Sequence, residues 1–134
     1  HKKFFSAHKK FFITPLVHKK ISTNFLAYPI IIRENEKFNR SDLQVFLEKH
    51  NIQTRPIFSG NILRHPAFSK VESASNVDKY VSSDYIMRNG ILIGCHQGLK
   101  IENLKYIHRT INNFLKQVDS NLHNQYIFEK FITS

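Results

Sequence analysis

Two arginines, a Gly-Asn pair and a histidine next to proline lie within the fifteen residues 54–68, which read T-R-P-I-F-S-G-N-I-L-R-H-P-A-F. Arginine binds phosphate oxygens through a planar fork, and asparagine offers both a donor and an acceptor to a ligand hydroxyl. Glycine lets the backbone turn tightly. These residue types predict a loop that binds an anionic ligand. Its candidate binding residues are Arg55, Ser59, Gly60, Asn61, Arg64 and His65.

The prolines in this loop suggest how its cations could meet. Arg55 and His65 each precede a proline, which biases their backbone toward an extended conformation. A chain reversal at Gly60-Asn61 would then bring Arg55, Arg64 and His65 together on one anionic group. The competing interpretation is that both arginines pair with nearby carboxylates or face solvent.

A second candidate site lies at His96 and Gly98, where an apolar run ends in a Gln97-Gly98 turn. Strand ends in α/β layers direct side chains and backbone amides toward ligands, so His96 is predicted to contact substrate. The alternative is that His96 is a turn residue that only caps the strand. His108, on the apolar stripe of the last long helix, is expected to be a core-edge histidine.

The hydrophobic pattern predicts an α/β fold in which helices cover a small sheet. Pro29 should confine the first strand to a sheet edge or to the start of the strand. Ser41 and Gln44 resemble a capping box for the first helix, and a later helix is expected to begin near Val77 or near Tyr85. Strands are predicted at 24–33, 53–58 and 91–95, and helices at 42–50 and 101–118.

The first 21 residues contain H-K-K-F-F twice and H-K-K once more. We expect this basic leader to be disordered, with a domain at 22–118 and a tail at 119–134. The formal net charge of the chain is +10, but 14 basic against 10 acidic residues remain without the six leader lysines. A nucleic-acid-binding domain is therefore not favoured, although the leader could act as an arm for nucleic acid or an anionic membrane.

Several classes of protein are excluded by what the sequence lacks. The single cysteine, Cys95, cannot form an internal disulfide and fits a reducing cytoplasm, which is the predicted location. The longest apolar run is far too short to span a bilayer. No histidine spacing indicates a metal site, and no P-loop, G-x-G-x-x-G or G-x-S-x-G motif occurs.

Five blocks of sequence carry a resemblance to one family, and it extends from about Ser22 to about Gln117. The blocks read S-T-N-F-L-A-Y-P-I, N-I-Q-T-R-P-I-F-S-G-N, R-H-P-A-F, S-S-D-Y-I-M and I-G-C-H-Q-G-L. Together they resemble the small C-terminal domain of the DegT/DnrJ/StrS pyridoxal-phosphate sugar aminotransferases. Within that family the chain is most similar to the CDP-4-keto-6-deoxyglucose 3-dehydrases of lipopolysaccharide sugar synthesis.

This resemblance implies a fold and a function. The fold would be the small domain of fold-type I pyridoxal-phosphate (PLP) transferases. The chain would be a fragment of a nucleotide-sugar dehydrase that closes over a CDP-4-keto-6-deoxyhexose. Catalysis would depend on PLP or its amine form (PMP), held by a large domain, with a homodimer partner completing the site. We therefore assign no catalytic residue and expect no cofactor on this chain alone.

Three alternatives remain open at this point. The first is a nucleotide-sugar aminotransferase, whose distinguishing residue would lie in the large domain. The second is a basic module that binds nucleic acid or membrane through its leader. The third is a non-functional gene remnant.

Overall fold

The computed structural model describes the chain from His1 to Ile132, with side chains described as far as Ser120. The strands of this part are β1 (Phe12–Ile13), β2 (Ala27–Ile32), β3 (Thr54–Pro56) and β4 (Gly90–Gly94). Its α-helices are α1 (Lys2–Ala7), α2 (Arg40–Lys49), α3 (Val81–Asn89) and α4 (Ile101–Ile132). Short 3-10 helices lie between β3 and α3, at Ile62–Arg64, Pro66–Phe68 and Glu72–Lys79.

The four strands form one sheet in the order β1-β2-β4-β3, and every neighbouring pair is antiparallel. Alternate residues of the two central strands are buried, as expected for a sheet with one face on the core. They join residues of α2 and α4 in a single hydrophobic cluster. The predicted α/β fold, a small sheet covered by helices, is confirmed. The central members of the hydrophobic cluster are Ile30, Ile32, Ile91, Ile93, Leu43, Leu47 and Ile111.

Pro29 lies in β2, which is an interior strand by its order in the sheet. Proline cannot donate a hydrogen bond to a neighbouring strand, so an interior position requires an explanation. The register supplies one, because β1 is opposite only Ile31 and Ile32 and leaves Pro29 with a single neighbouring strand. The prediction of an edge strand was wrong for β2 as a whole but holds locally at the proline.

The helix α2 begins two residues earlier than predicted. Asn39 is the N-cap, and its side chain accepts from the Asp42 backbone N–H at 3.1 Å. Asp42 in turn accepts from the Asn39 backbone N–H at 2.8 Å, which completes a capping box. The predicted box at Ser41 and Gln44 was therefore wrong. The sequence contains two overlapping box patterns, and only the packing of the helix selects between them.

The segment between the last two strands departs most from prediction. β3 ends at Pro56 rather than Phe58, and α3 begins at Val81, between the two predicted starts. The last helix begins at Ile101 as predicted and continues to Ile132. The side chains of the predicted tail after Ser120 lie outside the described part of the chain, so the predicted boundary at 119 stays a prediction.

The leader is part of the folded core, so the expectation of disorder was wrong for residues 2–13. Phe5 is 0% exposed, Phe11 and Phe12 are also buried, and β1 adds an edge to the sheet. The rings of Phe5 and Phe12 meet edge to face, with their centroids 5.2 Å apart. The leader lysines all face solvent. Each H-K-K-F-F unit therefore divides into exposed lysines and rings that are buried or, for Phe4, partly buried.

Packing of the leader also accounts for the partial burial of the His108 ring. His1 donates from Nε2 to the Gly94 carbonyl at 3.0 Å, and its Nδ1 lies 3.0 Å from His108 Nε2. Phe4 stacks on the His108 ring, with centroids 4.2 Å apart. Burial lowers the pKa of His108 to about 4. The prediction of a core-edge histidine is confirmed.

Candidate substrate-binding site

The loop after β3 is shaped by two residues in the left-handed backbone region, Phe58 at φ 46° and Gly60 at φ 63°. A Cβ atom on Gly60 would lie 2.5 Å from Met87 Cγ, so this position has neither the conformation nor the space for a side chain. The His65 ring donates from Nε2 to the Ser59 carbonyl at 2.8 Å. The predicted loop is therefore held closed by its own contacts and by its packing on α3.

Arg64 and Asn61 attach this loop to α3. Arg64 donates to both carboxylate oxygens of Asp84, at 3.1 and 2.6 Å, and to Asp78 at 2.9 Å. Asn61, which is only 3% exposed, donates to Asp84 at 2.7 Å. The hydrogen bonds from Arg64 and then Asn61 lower the pKa of Asp84 to about 2. For Arg64, the competing interpretation of pairing with nearby carboxylates was the correct one.

The remaining loop residues line a shallow cavity with residues from α2 and α3. This cavity, the loop cavity, has a volume of about 250 Å³ and is lined by Ser59, Gly60 and His65 together with Arg40 and Met87. Arg40 donates from Nη1 to the Met87 carbonyl at 3.1 Å. The sequence analysis did not identify Arg40, because it lies at the start of a helix outside the loop.

Arg55 lines a different cavity, and His96 lines it too. This cavity, the Arg55–His96 cavity, has a volume of about 350 Å³ between the edge of the sheet and the start of α4. Its walls combine apolar side chains with amides and one phenol, a mixture common in small-molecule sites. The predicted convergence of Arg55, Arg64 and His65 was therefore wrong. The lining residues used below are Asn51, Gln53, Leu92, Leu99, Asn103 and Tyr106.

Local hydrogen bonds position the His96 ring and the strand that carries Arg55. Gly98 donates its backbone N–H to His96 Nδ1 at 3.2 Å, in the predicted turn at the end of β4. Beside Arg55, Thr54 donates to Glu48 from its backbone nitrogen at 2.7 Å and from its hydroxyl at 2.8 Å. These bonds lower the pKa of Glu48, and the charge of Arg55 adds to the effect. Arg55 therefore starts from a strand that is anchored to α2.

Two further residues of this cavity were missed by sequence reasoning. Asn103 accepts from the Lys100 backbone N–H at 2.8 Å near the start of α4, and Tyr106 donates to the His50 carbonyl at 3.0 Å. Asn103 shows a sequence signal, since a polar residue three positions after a helix start often completes a cap. Nothing local marks Tyr106, whose partner lies 56 positions earlier in the chain.

The described side chains form no metal-binding cluster, and the two cavities above offer no amine to a cofactor. Among residues 1–120, no group of three or more histidine, cysteine or carboxylate side chains could hold a metal ion. The residues lining the Arg55–His96 cavity and the loop cavity include no lysine, so neither cavity has an amine for covalent linkage to PLP. Over the part of the chain that is described, no helix is long and apolar enough to cross a membrane.

Two curated relatives share about a third of their residues with this chain over the aligned region. Lipopolysaccharide biosynthesis protein RfbH of Salmonella typhimurium strain LT2 is 33% identical over 98 residues, which is 73% of this chain and 22% of RfbH. The dTDP-4-dehydro-2,6-dideoxy-D-glucose 3-dehydratase of Saccharopolyspora spinosa is 30% identical over 103 residues, 77% of this chain and 22% of that protein. The chain spans about a fifth of the length of these relatives.

The fold also matches a solved PLP enzyme. E. coli GDP-4-keto-6-deoxy-D-mannose-3-dehydratase with bound hydrated PLP superposes with a TM-score of 0.58 at 20% identity, over 81% of this chain and 28% of that one. Residues 2–112 match the model of the DegT/DnrJ/EryC1/StrS aminotransferase family, including the leader that the sequence analysis had set apart. The chain therefore belongs to the DegT/DnrJ/EryC1/StrS aminotransferase family.

Proposed function

We propose that this chain forms the substrate-binding part of a PLP- or PMP-dependent nucleotide-sugar 3-dehydratase of deoxysugar biosynthesis. Its role is to bind and enclose the nucleotide-linked 4-keto-6-deoxyhexose, and CDP is the nucleotide that the sequence resemblance favours. One observation supports this role above the others: Arg55 and His96, 41 positions apart, line one cavity with amide and apolar side chains. Nucleotide sugars present matching surfaces, namely an anionic diphosphate, polar hydroxyl groups and a partly apolar base.

Each part of the ligand has a suitable partner in this cavity. The guanidinium of Arg55 can donate two parallel hydrogen bonds to diphosphate oxygens, and each charge-assisted bond is worth about 1.5–3 kcal/mol. The amides of Asn51 and Gln53 can donate to and accept from hydroxyl groups or a base edge. Leu92 and Leu99 offer an apolar wall that removes ligand surface from water.

The rest of the complete enzyme supplies the cofactor in this proposal. PLP or PMP, bound to another domain or to a second subunit, provides the electron sink for elimination of the sugar 3-hydroxyl. The contribution of this chain is to fix the orientation of the sugar and to exclude water when the site closes. An aminotransferase would need the same binding surface, so the choice between the two reactions depends on residues beyond these cavities.

Binding of nucleotide sugar to the 134-residue chain tests the proposal directly. We expect addition of CDP-glucose to change the NMR chemical shifts of backbone amides around Arg55 and His96. Replacement of Arg55 by methionine should weaken binding about tenfold or more, because one charge-assisted fork is lost. Arg88→Met is the matched control, since Arg88 is exposed on α3 and lines neither cavity. Equal loss in both variants, or no shifts near His96, would contradict the proposal.

A turnover assay tests the division of labour. With PLP or PMP, glutamate and a CDP-4-keto-6-deoxyhexose present, we expect this chain alone to form no 3-deoxy product. Neither the Arg55–His96 cavity nor the loop cavity is lined by a lysine that could hold the cofactor. Product formation by the purified chain, without any other polypeptide, would show that the cofactor site lies within it after all.

A further inference from the structure

His96 lies between two cavities, not at the end of one. On one side is the Arg55–His96 cavity of about 350 Å³. On the other is a cavity of about 570 Å³, which we call the Asn24 cavity; Thr23, Asn24 and Gln97 are among its lining residues. Of the residues lining these two cavities, only His96 belongs to both.

The two cavities differ in chemistry. The Arg55–His96 cavity has an aliphatic wall that includes Leu92 and Leu99, with the Tyr106 ring and three amide side chains around it. A flat, partly apolar heterocycle with hydrogen-bonding edges suits such a surface. The Asn24 cavity is lined by a threonine hydroxyl and two amides, besides Phe25, Leu26 and Cys95. Short hydroxyl and amide groups suit the alternating donors and acceptors of a sugar.

The hydrogen bond from Gly98 determines what His96 can offer between the cavities. Because His96 Nδ1 accepts from the Gly98 backbone N–H, the proton of the neutral ring is on Nε2. The ring then presents its Nε2–H as a donor to an anion. Gly98 suits this contact because a Cβ atom there would lie 3.1 Å from His96 Nδ1. With Arg55 on one side, His96 is placed to meet the charged centre of a ligand.

We infer that a nucleoside diphosphate sugar binds across both cavities, with its base in the Arg55–His96 cavity, its diphosphate at Arg55 and His96, and its sugar in the Asn24 cavity. This inference rests on the proposed function and adds an orientation to it. Each cavity lies within the range of about 300–1,000 Å³ that ligand pockets occupy. The charged middle of the ligand thus coincides with the residue that the two cavities share.

One residue in each cavity gives a matched pair of variants. Gln53 lines the Arg55–His96 cavity and Asn24 lines the other, and both are exposed residues whose side chains make no hydrogen bond within the described part of the chain. Their replacement by leucine should leave the fold intact, as checked by circular dichroism. Asn76→Leu, on an exposed 3-10 helix, is the control.

Calorimetry with CDP and with CDP-glucose separates the two ends of the ligand. We expect Gln53→Leu to weaken both ligands by a similar factor of about five to ten, since one hydrogen bond to the base is lost. We expect Asn24→Leu to weaken CDP-glucose by about the same factor and to leave CDP within about twofold. Asn76→Leu should change neither.

Three other outcomes would overturn the inference. If Asn24→Leu weakened CDP and Gln53→Leu affected only CDP-glucose, the ligand would lie in the opposite direction. If both variants weakened both ligands equally, the nucleotide would contact both cavities, and the separate placement of base and sugar would be wrong. If CDP-glucose bound with NMR shifts only in the loop cavity, or not at all, the proposed function would fail as well, whereas the first two outcomes leave that function standing.

Discussion

Replacement of Phe5 by alanine tests whether the basic leader belongs to the folded unit. Phe5 is 0% exposed and packs on Phe12 and Tyr28, with ring centroids 5.2 and 6.0 Å away. Truncation of a buried phenylalanine to alanine costs about 3–5 kcal/mol, from lost transfer free energy and from the cavity left behind. Stabilities of small domains are about 5–15 kcal/mol, so this loss would be a large fraction of the total.

The expected change in melting temperature follows from chain length. An unfolding entropy of about 2.1 cal/mol/K per residue gives roughly 0.28 kcal/mol/K for 134 residues. A loss of 3–5 kcal/mol then lowers the melting temperature by about 11–18 °C. Leu16→Ala is the control, because Leu16 lies in the same leader and is 100% exposed.

Thermal unfolding, followed by circular dichroism, measures the melting temperature, and chemical denaturation measures the free energy of unfolding. The Phe5→Ala variant should unfold in one transition at lower temperature, while Leu16→Ala should stay within about 2 °C of the parent. If the two variants differed from the parent by the same small amount, the leader would contribute no core contact, and the packing of α1 on the sheet would be refuted.

Three further predictions concern the loop after β3 and the His108 side chain. Gly60→Ala should destabilise the chain by about 1–3 kcal/mol in urea unfolding, because of its positive φ and the contact with Met87; a neutral effect would contradict the loop geometry. Arg64→Met should raise the pKa of Asp84, measured by NMR titration, from about 2 toward its ordinary value, and an unchanged pKa would exclude the pairing. The pKa of His108 is lower in the folded chain than its unfolded value of 6.5, so the stabilising contribution of the neutral ring is fully present above pH 6.5. The free energy of unfolding should fall by about 1–2 kcal/mol as the pH drops toward 4, a magnitude reduced because His108 is partly exposed. His108→Gln should abolish that part of the pH dependence, and an identical pH profile in the variant would refute it.

Local pattern was sufficient for the elements that face the core. The β2 and β4 segments were recognised from short apolar, β-branched runs, and α2 and α4 from apolar residues at helical spacing. Such periodicity depends only on which side of an element faces water. The same short-range reasoning could not choose between overlapping capping boxes or place the start of α3, because those depend on neighbouring elements.

The site depended on contacts that no local pattern encodes. Arg64 was predicted to bind a ligand, yet its carboxylate partners lie 14 and 20 positions later and reach it only through the fold of the loop on α3. Arg55 was placed with the wrong partners for the same reason. It lines a cavity with His96 because antiparallel pairing of β3 with β4 brings the two segments together.

The sequence by itself determined the family, the α/β class and the order of the main elements, since these follow from motifs and from short-range hydrophobic periodicity. The tertiary structure decided that the leader phenylalanines complete the core and that the loop arginines separate, one to a salt bridge and one to a cavity. The physical reason is that burial and ion pairing depend on distances between residues remote in the chain. Those distances exist only once the sheet has paired and the helices have packed.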